Sequence, residues 1–172
     1  VSSDKLANLY NFQEVMMNDM QTIAFAGAFL KWQDEVLLMQ RGKHKKLGPG
    51  LWAGIGGHIE QSEINSPLTA CLREIEEETG IQFMQIEKLQ LRYFALLKHD
   101  NALHSIYYFS GILKEKPNLR ETSEGKLHWI KLKDGINLDM ATFMKSFYLH
   151  WINNISDTSL HCFLDSNIHL LT

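Results

Sequence analysis

Arg73-Glu74-Ile75-Glu76-Glu77-Glu78-Thr79-Gly80-Ile81 is the stretch whose chemistry organises the reading of the whole chain. It closes a segment that carries its own boundary signals. Ser66 suits an N-cap, Pro67 the first helical position, and Gly80 the residue just past a helix end. The spacing predicts a helix over 66–79. At about 100° per residue, Glu77 lies about 60° to one side of Glu74 and Glu78 about 40° to the other. Three carboxylates therefore share an arc of about 100°. Leu68, Leu72 and Ile75, with Cys71 at the border, gather on a separate face suited to burial. Glu76 points away from the trio and reads as a bystander. Like charges at this spacing repel, and acids near a helix C-terminus oppose its dipole. A divalent cation is the natural compensation. Oxygen donors with no sulfur or imidazole at ligand spacing favour a hard ion, Mg²⁺ or Mn²⁺, over zinc. A solvated acidic face would carry the same residues, so the helix alone leaves both readings open.

Upstream, Gly54, Gly56 and Gly57 crowd a segment read as a loop, followed by His58-Ile59-Glu60-Gln61-Ser62-Glu63. Glycines permit close backbone approach, so a carbonyl or amide here can face a ligand. A glycine turn folding back toward an acidic helix makes a pocket for metal and phosphate. The stretch from Gly57 to Ile81 resembles the signature of the Nudix hydrolases, the MutT-like family. That signature is a Gly, five residues, a Glu, a spacer, and then Arg-Glu-apolar-any-Glu-Glu-any-Gly-apolar. Arg73 to Ile81 matches the second half without a mismatch, and Gly57 to Glu63 matches the first. Nine residues, Ile64 to Leu72, separate Glu63 from Arg73, where the usual spacer is seven, and Ser62 stands where a Gly commonly precedes the Glu. The extra pair falls within Ile64-Asn65-Ser66-Pro67. A bulged loop there absorbs it without moving Glu74, Glu77 or Glu78, so Glu63 is the residue whose role the longer spacer touches.

The resemblance implies a metal site at Glu74, Glu77 and Glu78, with Gly56 lending a backbone carbonyl and Glu74 also acting as the base that activates water. It implies that Arg73 orients the carboxylates by charge-assisted hydrogen bonds, with Glu63 in the same catalytic group. A further acid from a later loop is common in the family. Glu124 is the candidate and Glu121 the reserve, each with an ordinary solvated acid as the alternative. Arg41 stands near the family's phosphate-binding arginine. Lys43, Lys45 and Lys46 form either a solvated run or an attraction for polyphosphate. His58, His99, His104 and His128 have no i,i+4 partner of metal-ligand type and read as packing or surface groups.

Outward from this centre, Thr22–Trp32 reads as a strand with Ala24, Ala26 and Ala28 on one side and Ile23, Phe25 and Phe29 on the other. Glu35–Arg41 follows as a second strand, and Leu51–Ile55 as a short third running into the glycines. Leu89–Lys98 and Leu103–Lys114 read as a hairpin turning at His99-Asp100-Asn101, and Lys126–Leu132 as another strand. Met140–Ile152 reads as a helix offering Phe143, Phe147, Leu149 and Trp151 for packing. Ser159–Leu164 and Ile168–Leu171 read as a last hairpin around Asp165-Ser166-Asn167. The expected fold is α/β of the mixed α+β kind, a curved mixed β-sheet covered by helices, with an extra C-terminal hairpin. The expected organisation is an N-terminal arm, residues 1–20, and one domain, 21–172, with the hairpin extension at about 157–172. Leu6, Leu9, Tyr10 and Gln13 offer one face of a short helix in the arm.

The 172 residues suit a single core. A net charge of −3, from 17 basic and 20 acidic residues, gives no field for holding nucleic acid non-specifically. Cys71 and Cys162 form no disulfide framework or metal knuckle, which favours a reducing, cytoplasmic setting. Cys71 reads as a small apolar packing group. No apolar run reaches about 18 residues, so no membrane-spanning segment is expected. The N-terminus lacks a signal peptide's basic start and apolar centre.

The expected activity is cleavage of a pyrophosphate bond in a nucleoside diphosphate linked to another moiety. A nucleoside triphosphate would give monophosphate and pyrophosphate, and the resemblance makes oxidised-guanine nucleotides the leading substrate. Partners are a nucleotide-type small molecule, no stable nucleic acid and no membrane. Tyr93, Phe94, Tyr107, Tyr108 and Phe109 offer aromatic faces to a substrate or to the core, and Asn137 or Asp139 a base-edge contact. Trp52 reads as core. The rival readings are a Nudix-type nucleotide sensor without turnover, and an interaction protein pairing through its last hairpin, which also offers a homodimer contact.

Overall fold

The computed structural model describes residues 21–99, 101–164 and 169–171. The arm over 1–20, Asp100, and the turn at Asp165-Ser166-Asn167 lie outside the described residues. Among the described residues, nine strands form one mixed sheet: β1 Gln21–Trp32, β2 Glu35–Arg41, β3 Trp52–Ala53, β4 Ile55–His58, β5 Ile86–His99, β6 Ala102–Leu113, β7 Gly125–Lys131, β8 His161–Leu164 and β9 His169–Leu171. The order β3-β2-β1-β6-β5-β8-β9 forms the main path, with β4 on β1 and β7 on β2. The pairs β1–β6 and β5–β8 run parallel. The two α-helices of the described residues are α1, Pro67–Thr79, and α2, Thr142–Asn153. None is long and apolar enough to cross a membrane.

Strand alternation sends successive side chains to opposite faces, and the helices divide between them. Ala26, Ala28 and Leu30 of β1 join Leu37 and Met39 of β2 under Ala70, Cys71 and Ile75 of α1. Phe29, Val36 and Leu38 face the other way, against Met144, Phe147, Tyr148 and Trp151 of α2. The small alanines let α1 lie close to the sheet, while the large residues of the opposite face fill the space beneath α2.

Several expectations need correction. Leu68 is not part of the buried face of α1; it is 44% exposed at the first turn, and Ala70 is buried instead. Ser66 occupies the N-cap position, but its hydroxyl pairs with the Thr69 hydroxyl at 2.7 Å rather than with a backbone amide. The expected strand 51–55 is two strands that part at Gly54, β3 on β2 and β4 on β1. Gly56 and Gly57 therefore sit in an extended strand, not in a loop, because β4 pairs Gly56 with Gly27 and Gly57 with Ala26. Leu149 is half-buried, and Tyr148 takes the buried place beside Phe147 and Trp151.

The sequence leaves a fork that positions the site. β1 pairs with β2 over Leu30–Trp32 and with β4 over Phe25–Ala28. Helix α1 packs on β1 and β4 at that fork, and Gly80, in the left-handed region at φ 78°, ends it.

Candidate active site

Arg73 is the hub. Its Nε donates to Glu63 Oε1 at 2.9 Å and one terminal nitrogen to Glu63 Oε2 at 2.9 Å, a bidentate pair. That second nitrogen also donates to the His58 carbonyl at 3.0 Å. The other donates to Glu74 Oε1 at 2.9 Å and Glu77 Oε2 at 3.0 Å. The planar five-donor fork of arginine makes such multiple contacts possible. One guanidinium thus gathers three of the acids and ties α1 to the segment before it.

The longer spacer does not remove Glu63 from this group. Gln61–Glu63 forms a single 3-10 turn, and the extra residues are taken up by exposed Ile64 and Asn65 before α1 starts. Glu63 is buried, with Oε2 also accepting the Glu60 amide at 3.2 Å. Hydrogen bonding from Arg73 holds its carboxyl below the usual range.

Glu78 is held differently. It is 6% exposed, and its Oε2 accepts the Gly56 amide at 3.0 Å. Burial pushes its carboxyl up to about 8, with the nearby charges of Glu74 and Glu124 adding to the rise. Burial likewise raises Glu74, against the pull of Arg73. Desolvation is the larger cause in both cases, and repulsion from neighbouring carboxylates adds to it.

Two glycines make this packing possible. A Cβ on Gly57 would stand 2.6 Å from both carboxylate oxygens of Glu74, and one on Gly56 would run into the Ala26 carbonyl and Gly27 Cα. Gly56 also has φ 152°. A side chain at either position would push β4 away from the acids or from β1.

Glu124 immediately precedes β7. Its backbone carbonyl accepts the Gly42 amide at 2.9 Å, and its carboxylate pairs with Lys45. Its charge bears on both Glu74 and Glu78, whereas Glu121 is exposed. Arg41 closes β2 beside the same group: its charge acts on Glu78, while its Nε donates to the Leu47 carbonyl at 2.9 Å. Glu76 is exposed, as a bystander should be.

The donor set fits a hard divalent cation in its chemistry. Glu74 and Glu78 are crowded carboxylates pushed toward their neutral forms, and a cation would relieve both the burial cost and the repulsion. Among the described residues no three His, Cys, Asp or Glu side chains already converge on one point. Arg73 draws Glu63, Glu74 and Glu77 toward itself, and the Gly56 amide draws Glu78.

The NUDIX domain profile matches residues 20–151. This chain belongs to the Nudix hydrolase family. The Nudix match spans most of the sheet and both helices, so the extent of the resemblance goes well beyond the signature. An uncharacterized Nudix hydrolase of Bacillus subtilis, YvcI, is 31% identical over 114 residues, covering 65% of this chain and 68% of YvcI. Among solved structures, the mutator MutT protein of Bacillus halodurans aligns at a TM-score of 0.66 and 23% identity, over 87% of this chain and 95% of that one. A Caenorhabditis elegans Ap4A hydrolase aligns at 0.63 and 20% identity, over 78% and 98%. At such identities the two structures speak for the Nudix fold alone. A Nudix chain is a pyrophosphohydrolase by family, and such enzymes work with a divalent metal on nucleotide-type substrates.

Other sequence candidates sit outside the acid group. Tyr93, Tyr108 and Phe109 are buried in the core, and the Phe94 and Tyr107 rings meet at a tilt, 5.0 Å apart. Trp52 packs against the α2 core and the His128 ring, 5.1 Å away. His58 rests on Phe25 at 4.5 Å. Asn137 and Asp139 are exposed, and Asp139 gives its carbonyl to the Trp52 amide. Burial raises the Cys71 thiol strongly, which keeps it neutral and apolar in behaviour. Sequence reasoning missed the pairing of Lys45 with Glu124; the lysine run was its one trace.

Proposed function

We propose that this chain is a Mg²⁺-dependent hydrolase, Mn²⁺ serving as well, that cleaves a pyrophosphate bond in a nucleoside diphosphate linked to another moiety. The observation that carries the reading is the crowding of half-buried Glu74 and buried Glu78, set over β4 by Gly57 and Gly56. Glu74, Glu77, Glu78 and Glu124, with the Gly56 carbonyl, are the residues that would hold the ion. A bound divalent cation neutralises phosphate charge and lowers the pKa of water.

The chain's own residues supply the rest. Arg73 orients Glu63, Glu74 and Glu77, and so fixes the direction of their lone pairs. Glu74 takes the proton from the attacking water, a role within reach of a carboxylate whose affinity for protons burial has raised. Arg41 holds a phosphate oxygen. As the water oxygen bonds to phosphorus, the bond to the bridging oxygen breaks, and its electron pair leaves with that oxygen. For a nucleoside triphosphate the products are the monophosphate and pyrophosphate. The names of the aligned neighbours, a mutator MutT protein and an Ap4A hydrolase, support phosphate-chain nucleotides as the first compounds to try. Oxidised-guanine triphosphate is the leading substrate among them.

The test is a nucleotide panel with protein and Mg²⁺, reading released phosphate or pyrophosphate, beside Glu77→Gln. Turnover of at least one member is expected, lost with EDTA and reduced on the order of 10²-fold in the variant. Tight binding of a nucleotide with no turnover of any panel member would replace this reading with a sensor.

A further inference from the structure

The loop over 42–50 carries Lys43, His44, Lys45 and Lys46 and meets Glu124 through Gly42 and Lys45. Lys43, His44 and Lys46 are exposed. Lys45 is not: its side chain is 23% exposed and its Nζ rests on the Glu124 carboxylate. The loop's backbone holds it there. Gly42 donates to the Glu124 carbonyl at 2.9 Å, Lys45 to the Gly42 carbonyl at 3.1 Å, and Gly50 to the Arg41 carbonyl at 3.1 Å. One loop therefore presents a single lysine to one acid of the site, with Arg41 at its root.

We propose that Lys45 is a specificity-determining residue that changes partner, holding Glu124 in the free protein and a substrate phosphate once Glu124 joins the ion-binding acids. The inference rests on the reading of Glu74, Glu78 and Glu124 as one cation site. A half-exposed ion pair is weakly held against water and salt, so Lys45 exchanges Glu124 for a phosphate at little cost. The ammonium then has three donors and no partner. Arg41 serves one phosphate of the scissile linkage, and Lys45 serves charge beyond it. The substrate class this selects is a nucleotide with three or more phosphates, over a nucleoside diphosphate whose second substituent is neutral.

The exchange has two signatures that a merely attractive lysine lacks. Without nucleotide, Lys45 competes with the cation for Glu124, so its removal tightens cation binding. With nucleotide, its removal weakens the hold on a phosphate chain. Wild type is compared with Lys45→Met and with Lys46→Met, an exposed neighbour of equal charge. In Mn²⁺ titrations followed by electron paramagnetic resonance, Lys45→Met is expected to bind about fivefold more tightly, and Lys46→Met to stay within about twofold of wild type. Binding of a nucleoside triphosphate with an imido bridge between its α and β phosphates is expected to fall about tenfold in Lys45→Met, while binding of the monophosphate holds. Thermal melts check that both variants fold.

Equal Mn²⁺ affinity in wild type and Lys45→Met, or equal losses for triphosphate and monophosphate, would overturn the exchange while leaving the hydrolase reading intact. Absence of Mn²⁺ binding in wild type and both variants would overturn the cation site itself, and the exchange with it.

Discussion

The two helices of this Nudix domain lie on opposite faces of one sheet and differ in what they bury. Helix α2 buries Met144, Phe147, Tyr148 and Trp151, rings stacked against rings, with Phe147 4.8 Å from Tyr93 and Trp151 4.9 Å from Phe29. Its polar atoms are satisfied: Trp151 Nε1 donates to the Ser110 hydroxyl at 2.8 Å, and the Tyr148 hydroxyl to the Leu132 carbonyl at 2.8 Å. Helix α1 buries three small or apolar residues, Ala70, Cys71 and Ile75, together with Glu78 and Thr79. One face is built for stability. The other gives up stability to keep carboxylates together in low dielectric, which is where an ion gains most.

The largest effect that would sharpen this contrast lies on the α2 face. Phe147→Ala should destabilise the fold by about 3–5 kcal/mol, as an aromatic deleted from a closed core does. Urea unfolding monitored by tryptophan fluorescence measures it, and at temperatures where the variant is folded its turnover per folded molecule should match wild type. A loss of kcat without loss of stability would break the division of labour.

Glu78→Gln is the mirror experiment. Turnover should fall by about 10²-fold, the scale of one preorganised electrostatic contribution. Its melting temperature, measured without metal, should equal or exceed wild type, because the amide oxygen still accepts the Gly56 amide and an amide cannot ionise beside Glu74. Gly57→Ala should sit between the two. Its methyl meets both oxygens of Glu74, so kcat is expected to fall about tenfold with only a modest change in stability, on the order of 1 kcal/mol. Steady-state kinetics paired with melts would expose an equal loss of both, which the contrast does not allow.

How far all this was legible in the sequence depends on range. The order of strands, the two helices and the acid cluster came from local signals: alternation, a proline-to-glycine helix frame, and Glu spacing. Gly56 and Gly57 misled, because adjacent glycines punctuate most chains. Here they are flat-strand residues made necessary by Ala26 and Glu74, which lie far off in sequence or on another element. Leu68 carried the right spacing but fell on the exposed first turn. Glu63 stayed with Arg73 because two extra residues bulged outward at Ile64 and Asn65, an outcome of loop geometry that spacing leaves open. The Lys45–Glu124 pair joins two loops through β2–β7 pairing, and the lysine run alone does not say which lysine meets which acid.

The smallest effect concerns the seam where the α2 face meets the last hairpin. Arg92, 2% exposed at a bulge in β5, reaches the carbonyls of Asn154 and Ser159 at 3.3 Å and Asp157 at 3.4 Å. The Ser159 amide first, then the His161 ring, hold the Asp157 carboxyl well below its ordinary value. A depressed acid contributes stability above its unfolded pKa and loses it as pH falls through the folded value. The seam should therefore loosen only below about pH 4, read as faster amide exchange in His161–Leu164. Asp157→Asn should remove that pH dependence, leaving the acid cluster on α1 untouched.

The most direct test of the central claim is a calorimetric titration of Mg²⁺ into folded wild-type protein and into the double variant Glu74→Gln/Glu78→Gln. Saturable binding by wild type, abolished in a double variant that melts no lower, is the predicted result. Equal Mg²⁺ uptake by both proteins, or none by wild type with and without nucleotide, would contradict it.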